Sequence, residues 1–338
     1  MIKVGIVGAG MVAGTHVRAL QDLQDIATVV GVHARNTERL TRFCEAHRLQ
    51  AAVTLDDLFD RGVDALIVLT PPNARREIVA RAAEASKHVL LEKPIERNTE
   101  NATELVELCE RAGVTLGVVF QNRFRESSQK LLSFLAEKRF GELASAQALV
   151  PWWRPQSYYD EPGRGTYARD GGGVLISQAI HTLDLLQVFT GPVASVQAMA
   201  GTTKLHRMEA EDFVAGGVMF ALGAIGAVVA TTASYPGQAE TIVLDYETAS
   251  VRLQSGVLEI NHHDGRTERF GEPSGTGGGA DPMAFPHHWH AAALRDFLEA
   301  IRDGGQPVVT GREGLKVHRL IDALVTSARL GKRVEIAG

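Results

Sequence analysis

The sequence predicts an α/β protein of two domains, a doubly wound parallel sheet followed by an α+β domain on a large, mostly antiparallel open sheet. Three observations carry this. Short β-branched runs alternate with helix-length amphipathic segments up to about residue 125, and the rhythm then changes to longer alternating strands with few helices between them. The length, 338 residues, is about twice that of a usual domain. The expected domains are 1–125 and 126–338, joined in the stretch 124–140.

In chain order, the first domain offers "IKVGIVGAG", "TVVGVHA", "VDALIVLTPP", "KHVLLEKP" and "VTLGVVFQNR" as strands. Each is nearly continuously apolar, as parallel strands covered on both faces require. The second offers "LASAQALVPWW", "VASVQAMAGTTK", "FVAGGVMFA", "IGAVVATTASYP", "ETIVLDYE", "ASVRLQSG" and "VLEINHHD". Two late helices, roughly 287–303 and 312–330, are expected to pack at the edge of that sheet or return to the first domain. The glycine-rich "GEPSGTGGGADPMAFP" reads as a mobile connection, since no strand leads directly into it.

Hydrophobic residues make up 45% and charged residues 22%, and the net charge is -5, so no basic field for nucleic acid exists. The first strand begins at Ile2, leaving no room for a signal peptide, and no apolar run reaches membrane-spanning length. A cytoplasmic protein is expected. Cys44 and Cys109 lie far apart without CxxC spacing, which suggests helix-borne apolar residues rather than a disulfide or zinc site.

Function begins at the first turn. Gly8, Gly10 and Ala13 stand in G-x-G-x-x-A spacing between a strand and a helix. Gly8 permits the tight turn, Gly10 lets backbone approach a pyrophosphate, and Ala13 allows close helix packing, which is the signature of a Rossmann dinucleotide site. Met11 and Val12 belong to the same turn. About twenty residues on, an acid would bind the ribose of NAD, but Ala34 stands there, followed by Arg35, Asn36 and Thr37. These suit a 2′-phosphate, so NADP is favoured over NAD, unless Arg35 merely starts a helix. Thr70, Pro71, Asn73, Glu92, Lys93 and Asn122, at the ends of later strands, complete the expected cofactor contacts.

"VLLEKPIERN" ends a strand in Glu92, Lys93 and Pro94, the edge where open parallel sheets bind ligands. With "GIVGAGMVAGTH", "QNRF" (121–124), "DGGGVLISQAIHTLD" (170–184), "AEDF" (210–213) and the closing "VTGREGLKVHRLIDALVTSARLGKRVEI", the whole chain resembles the glucose-fructose oxidoreductase, inositol dehydrogenase and MocA family of nicotinamide-dependent oxidoreductases. The resemblance implies a Rossmann domain followed by an open-sheet domain whose free face makes a homodimer or homotetramer interface. It also implies that Lys93 and His181 flank the carbon that exchanges hydride. Oxidation of a secondary alcohol needs a proton acceptor, which a neutral imidazole supplies, and a donor to the developing alkoxide, which Lys93 supplies.

Ser177 and Asp184 lie about one helical turn to either side of His181 and are candidates to orient it, although Asp184 can equally pair with an arginine. Many relatives carry Asp where Ser177 stands, so this departure sets the chain apart from simple cyclitol dehydrogenases. The span "WWRPQSYYDEPGRGTYARDGGG" mixes aromatic faces with forked cations, suited to sugar rings and carboxylate or phosphate. Trp153, Arg154, Tyr159 and Arg164 are its candidate substrate contacts, with Gln178 and Arg123 beyond it. The span is similar to the branch oxidising UDP-N-acetylglucosaminuronic acid at C3, which shares the Trp-Arg-Tyr run, the RGT element and Gln178 but usually has Asn at 177. His287, His288, His290, His262 and His263 show no recognisable ligand spacing, so no metal is expected, and His290 is the one expected to reach the site mouth. The reading is an NAD(P)-dependent oxidoreductase acting on a sugar, sugar acid or nucleotide-sugar. A net nonredox sugar reaction with a transiently reduced cofactor, and a silent nucleotide sensor on the same fold, stay open as alternatives.

Overall fold

The structure is a computed structural model and describes residues 1–275, 277–279 and 281–336. Thr276 and Ala280, within the glycine-rich stretch, and Ala337 and Gly338 lie outside the described residues.

The first sheet contains β1 (Ile2–Val7), β2 (Ala27–His33), β3 (Ala51–Ala52), β4 (Ala65–Val68), β5 (His88–Glu92) and β6 (Leu116–Val119). All pairings are parallel, and the order is β3-β2-β1-β4-β5-β6. This is the doubly wound Rossmann order, with its crevice beyond the carboxyl ends of β1 and β4, where the winding reverses. β4 and β6 are buried at every residue, as the apolar runs require. The helices are α1 (Ala13–Gln21), α2 (Thr37–His47), α3 (Leu55–Asp60), α4 (Arg75–Glu84) and α5 (Thr99–Arg111). The sequence reading missed β3, a two-residue edge strand too short to carry a period.

The second sheet begins after α6 (Glu126–Ala136). Its nine strands are β7 (Leu143–Pro151), β8 (Val193–Gly201), β9 (Phe213–Phe220), β10 (Ile225–Thr231), β11 (Thr241–Tyr246), β12 (Ala249–Gln254), β13 (Val257–His262), β14 (Thr267–Phe270) and β15 (Val334–Glu335). The order is β14-β13-β12-β11-β7-β10-β9-β8-β15, and among the described residues only β7 and β10 pair in parallel. α7 (Gln156–Tyr159) and α8 (Ile180–Thr190) fall between β7 and β8, and α9 (His288–Asp303) and α10 (Gly311–Leu330) precede β15. On one face, Met199, Ala215, Val229 and Leu149 stand in a single cross-strand row, with Met219 opposite Ile225 nearby. Met199 and Ile225 are well exposed there, so this face is open and apolar.

The chain forms two compact units, 1–121 with 287–315 and 122–286 with 316–338. This differs from the single boundary expected at 125 because α9 returns to the first unit. Its Ala291, Leu294, Phe297 and Leu298 join the core around Val4, Ile6, Val17 and Leu20. Gly117 leaves the room that Phe297 needs, since a Cβ there would lie 2.8 Å from its ring. No helix among the described residues is long and apolar enough to cross a membrane.

Candidate active site

The turn after β1 fits a pyrophosphate. Gly8 has φ +116, a conformation that other residues adopt only with strain, and its position against Leu69 and Thr70 leaves little room for a side chain. A Cβ on Gly10 would meet nothing within 4 Å, and Gly10 and Met11 are exposed. α1 has no side-chain cap among the described residues, and the N–H groups of Ala13 and Thr15 donate to the Gly10 and Val12 carbonyls at 3.1 and 3.0 Å, so the turn holds its own helix start. At the end of β2, Ala34 is partly exposed and Arg35 is exposed. Asn36 is used locally instead, its Oδ1 accepting the Arg39 N–H at 2.8 Å to cap α2. Thr70, Pro71 and the exposed Asn73 follow β4.

Lys93, partly exposed, follows β5 and precedes Pro94 across a cis peptide bond. Its surroundings hold what sequence reasoning missed. Glu92 turns inward, where its carboxylate takes the Lys93 backbone N–H at 3.1 Å and His16 Nε2 at 2.8 Å. Burial opposes ionisation of Glu92, but the His16 hydrogen bond and nearby positive charge, that of Lys93 included, outweigh it and draw its pKa down to about 2. His290 Nε2 lies 3.7 Å from the same carboxylate oxygen. It is 1% exposed, so it does not reach a site mouth, and burial pushes its pKa down to about 3, leaving it neutral.

His16, Glu92 and His290 thus bring three possible ligand atoms within 4.8 Å of one another. A metal-bound imidazole nearly always donates its second N–H, but His16 Nδ1 is buried without a partner among the described residues. The cluster fits a hydrogen-bonded carboxylate rather than a metal centre. Behind it, the buried Arg75 from α4 donates to the Thr70 carbonyl at 2.8 and 3.0 Å and to the Glu92 and Pro94 carbonyls.

His181, 8% exposed, belongs to α8, which is entered through a π-helical turn at Leu175–Ala179. That turn was not foreseen, because nothing in local composition distinguishes it from α-helix. Glu211, of the "AEDF" motif, holds its start. The carboxylate accepts the Gly173 and Leu175 N–H groups at 3.1 and 3.2 Å, and its main-chain carbonyl accepts that of Val174 at 2.9 Å. Burial raises the Glu211 pKa. Gly173 is pressed against it so closely that a Cβ would lie 1.7 Å from the Glu211 carbonyl oxygen.

Of the two candidates to orient His181, Ser177 donates its N–H to the Gly173 carbonyl at 3.1 Å and is partly exposed. Asp184 instead faces Arg123, which forks onto it at 2.6 and 2.8 Å with both side chains nearly fully buried. Arg123, expected at the substrate's far side, is therefore committed to an internal ion pair. Neighbouring Asn122 is buried as well.

The aromatic and basic span divides in the same way. Arg154, 2% exposed, donates to the carbonyls of Gly277 and Gly279, and Trp153 N–H to that of Gly278. The glycine-rich stretch expected to be mobile is thereby tied down at its described residues. The Tyr159 hydroxyl meets Thr232 Oγ1 at 2.6 Å in the interior. Arg154 and Tyr159, expected as substrate contacts, are thus both engaged inside the unit, because cationic and aromatic side chains also satisfy buried carbonyls and fill cores. Trp153 stays partly exposed, edge-on to Tyr235.

Arg164 lies over the Tyr158 ring and donates to its hydroxyl at 3.2 Å, which Gln178 Nε2 also approaches at 3.3 Å. The Glu161 carboxylate pairs with both Arg164 and Arg169 and steadies this group. Sequence reasoning selected Tyr159 here, whereas Tyr158 is the one that meets the polar cluster. Two adjacent tyrosines carry no local sign of which one the interior takes.

A Rossmann sheet with an open phosphate turn, and a lysine at the end of β5, define a dinucleotide-dependent oxidoreductase. Comparison with known proteins makes this specific. Residues 2–120 match the model described as "Oxidoreductase family, NAD-binding Rossmann fold", and residues 128–252 match the GFO/IDH/MocA C-terminal domain. The WlbA dehydrogenase from Bordetella pertussis, solved with NADH and UDP-GlcNAcA, is 31% identical, with a TM-score of 0.85, over 100% of this chain and 99% of that one. The 1,5-anhydro-D-fructose reductase of Ensifer adhaerens is 28% identical, covering 91% of each chain. The D-apiose dehydrogenase of Paraburkholderia graminis is 25% identical over 99% of this chain and 89% of its own. The chain belongs to the GFO/IDH/MocA family of NAD(P)-dependent oxidoreductases, which act on sugar hydroxyl groups.

Proposed function

We propose that the chain oxidises a secondary alcohol of a nucleotide-linked sugar acid, with His181 as the proton acceptor and Lys93 as the donor to the substrate oxygen. The observation that carries the substrate class is the end-to-end likeness, at 31% identity, to a dehydrogenase solved with UDP-GlcNAcA. The Arg164, Tyr158 and Gln178 group supports it, being a cationic and hydroxyl-bearing cluster on the approach to α8.

In the forward step the substrate O–H proton passes to the His181 imidazole as the C–H bond breaks and the carbonyl forms. The Lys93 ammonium donates a hydrogen bond to the oxygen as negative charge develops on it. When bound, the nicotinamide supplies the hydride acceptor. Gly8, Gly10, Met11 and Val12 would hold its pyrophosphate, Ala34 and Arg35 its ribose, and Thr70, Pro71, Asn73, Glu92 and Asn122 would line its remaining length. The lack of an acid at Ala34 beside the exposed Arg35 favours NADP over NAD. Binding titrations with both cofactors, followed by nicotinamide absorbance across UDP-sugar acids, neutral UDP-sugars, free sugar acids, aldoses and cyclitols, test the reading. Turnover of UDP-linked acids that falls at least about 100-fold in both Lys93→Ala and His181→Ala is expected. Full activity in either variant, or turnover of only the free sugars, refutes it.

The apolar row of Met199, Val229 and Leu149 further supports a homo-oligomer in which a second copy covers the open face. Met199→Glu with Leu149→Glu should give monomers by sedimentation, and an unchanged assembly counts against this face.

A further inference from the structure

Arg75 lies between two turns that carry different parts of the proposed site. Its Nε and Nη2 both donate to the Thr70 carbonyl, at 3.0 and 2.8 Å. Its Nη1 donates to the carbonyls of Glu92 and Pro94 and reaches that of Ile95 at 3.4 Å. One guanidinium therefore joins the turn after β4 to the turn after β5. Burial lowers its pKa to about 10, so it stays protonated at neutral pH.

The arrangement grips Lys93 from two directions. Its backbone N–H is held by the Glu92 carboxylate at 3.1 Å, itself fixed by His16. The carbonyls immediately before it and after it, those of Glu92 and Pro94, are held by Arg75. The main chain on both sides of Lys93 is thus fixed by side chains from α1, β5 and α4, while the Lys93 side chain itself remains partly exposed.

We propose that Arg75 is a positioning residue that sets the Lys93 backbone and couples it to occupancy of the Thr70–Asn73 turn. The argument is one of donor geometry. A planar guanidinium offers five N–H groups in a fixed fork and can satisfy carbonyls on opposite sides at once. A lysine at the same position keeps the charge but has a single tetrahedral head, which can serve one turn and not both. Without the fork the buried carbonyls of one turn lose their donors, and that turn rearranges to recover them. Because Thr70 and Asn73 belong to the proposed cofactor contacts, a cofactor that orders their turn also orders Arg75, and through it the turn bearing Lys93. The proposal rests on the reading of Lys93 as catalytic.

The test compares Arg75→Lys with wild type, using Arg76→Lys as control, since Arg76 is exposed and pairs with Glu104 at the surface. Amide hydrogen exchange of peptides covering residues 92–97, with and without NADPH, reads the turn without requiring turnover. In wild type the cofactor should slow exchange there. In Arg75→Lys exchange should be faster by about tenfold and no longer respond to cofactor. kcat should fall about 10- to 100-fold while the sugar KM changes less than about threefold, as expected for a misplaced catalytic group. Thermal unfolding measured in parallel shows whether the variant is folded at the assay temperature.

Wild-type exchange and kcat in Arg75→Lys overturn the proposal, as does a lost kcat with wild-type exchange. Arg75→His gives a second, smaller planar donor and should show the same pattern. Lys93→Ala separates the two readings: if it retains activity, the catalytic reading of Lys93 fails, and the exchange result alone decides whether Arg75 holds the turn.

Discussion

Gly173→Ala tests how rigidly the His181 helix is placed. The new Cβ would lie 1.7 Å from the Glu211 carbonyl oxygen, whereas carbon and oxygen in contact need about 3.3 Å, so the two segments must separate by the difference, about 1.6 Å. Neither can yield cheaply, since the N–H groups of residues 173, 174 and 175 are all held by Glu211. Misplacement of a reacting group by about 1 Å costs about 100-fold in rate, or about 2.7 kcal/mol. kcat/KM for Gly173→Ala should fall at least that far, with kcat carrying most of the loss. Glu211→Gln, which keeps shape and one acceptor oxygen, should lose less. The assay is steady-state turnover well below the melting temperature, with thermal unfolding measured alongside. A Gly173→Ala enzyme within about twofold of wild type would show that His181 placement does not depend on this turn.

Two further outcomes follow from buried charge. His290 has a folded pKa of about 3 against an ordinary value of 6.5, so the unfolded chain binds more protons between those limits. Its contribution to stability is present above about pH 6.5 and is lost as pH falls, by roughly 3 kcal/mol at about pH 4.5. Urea unfolding at neutral pH and at that acid pH should show a smaller acid loss in His290→Leu than in wild type, and equal losses would refute the assignment. Asp184→Ala takes the carboxylate away from the buried Arg123 guanidinium and should cost about 3–5 kcal/mol, whereas the Arg123→Met, Asp184→Leu double variant should recover most of it. A loss below about 1 kcal/mol in Asp184→Ala, read by the same denaturation, would show that the pair is not needed.

The turns and strand ends that carry the candidate site were legible because their signals are local to the chain. G-x-G-x-x-A requires particular backbone freedom within a few residues, and the apolar runs that became β1, β4, β5 and β6 need only burial on both faces. Glu92-Lys93-Pro94 could be placed at a strand end for the same reason. The roles of charged and aromatic side chains were less legible. Arg123, Arg154 and Tyr159 have the chemistry of substrate contacts, yet each found an internal partner.

What those side chains do depends on groups brought near by folding. Arg75 meets carbonyls 17 to 20 positions away, Glu211 meets the helix turn 36 to 38 positions away, and Arg123 meets Asp184 across 61. His290 reaches Glu92 only because α9 returns to the first unit. The order of residues is enough to specify strands, helices and a phosphate turn, since each depends on neighbours in the chain. Whether a buried arginine or carboxylate serves substrate or scaffold is set by which unsatisfied donors and acceptors surround it, and those are assembled only by tertiary packing.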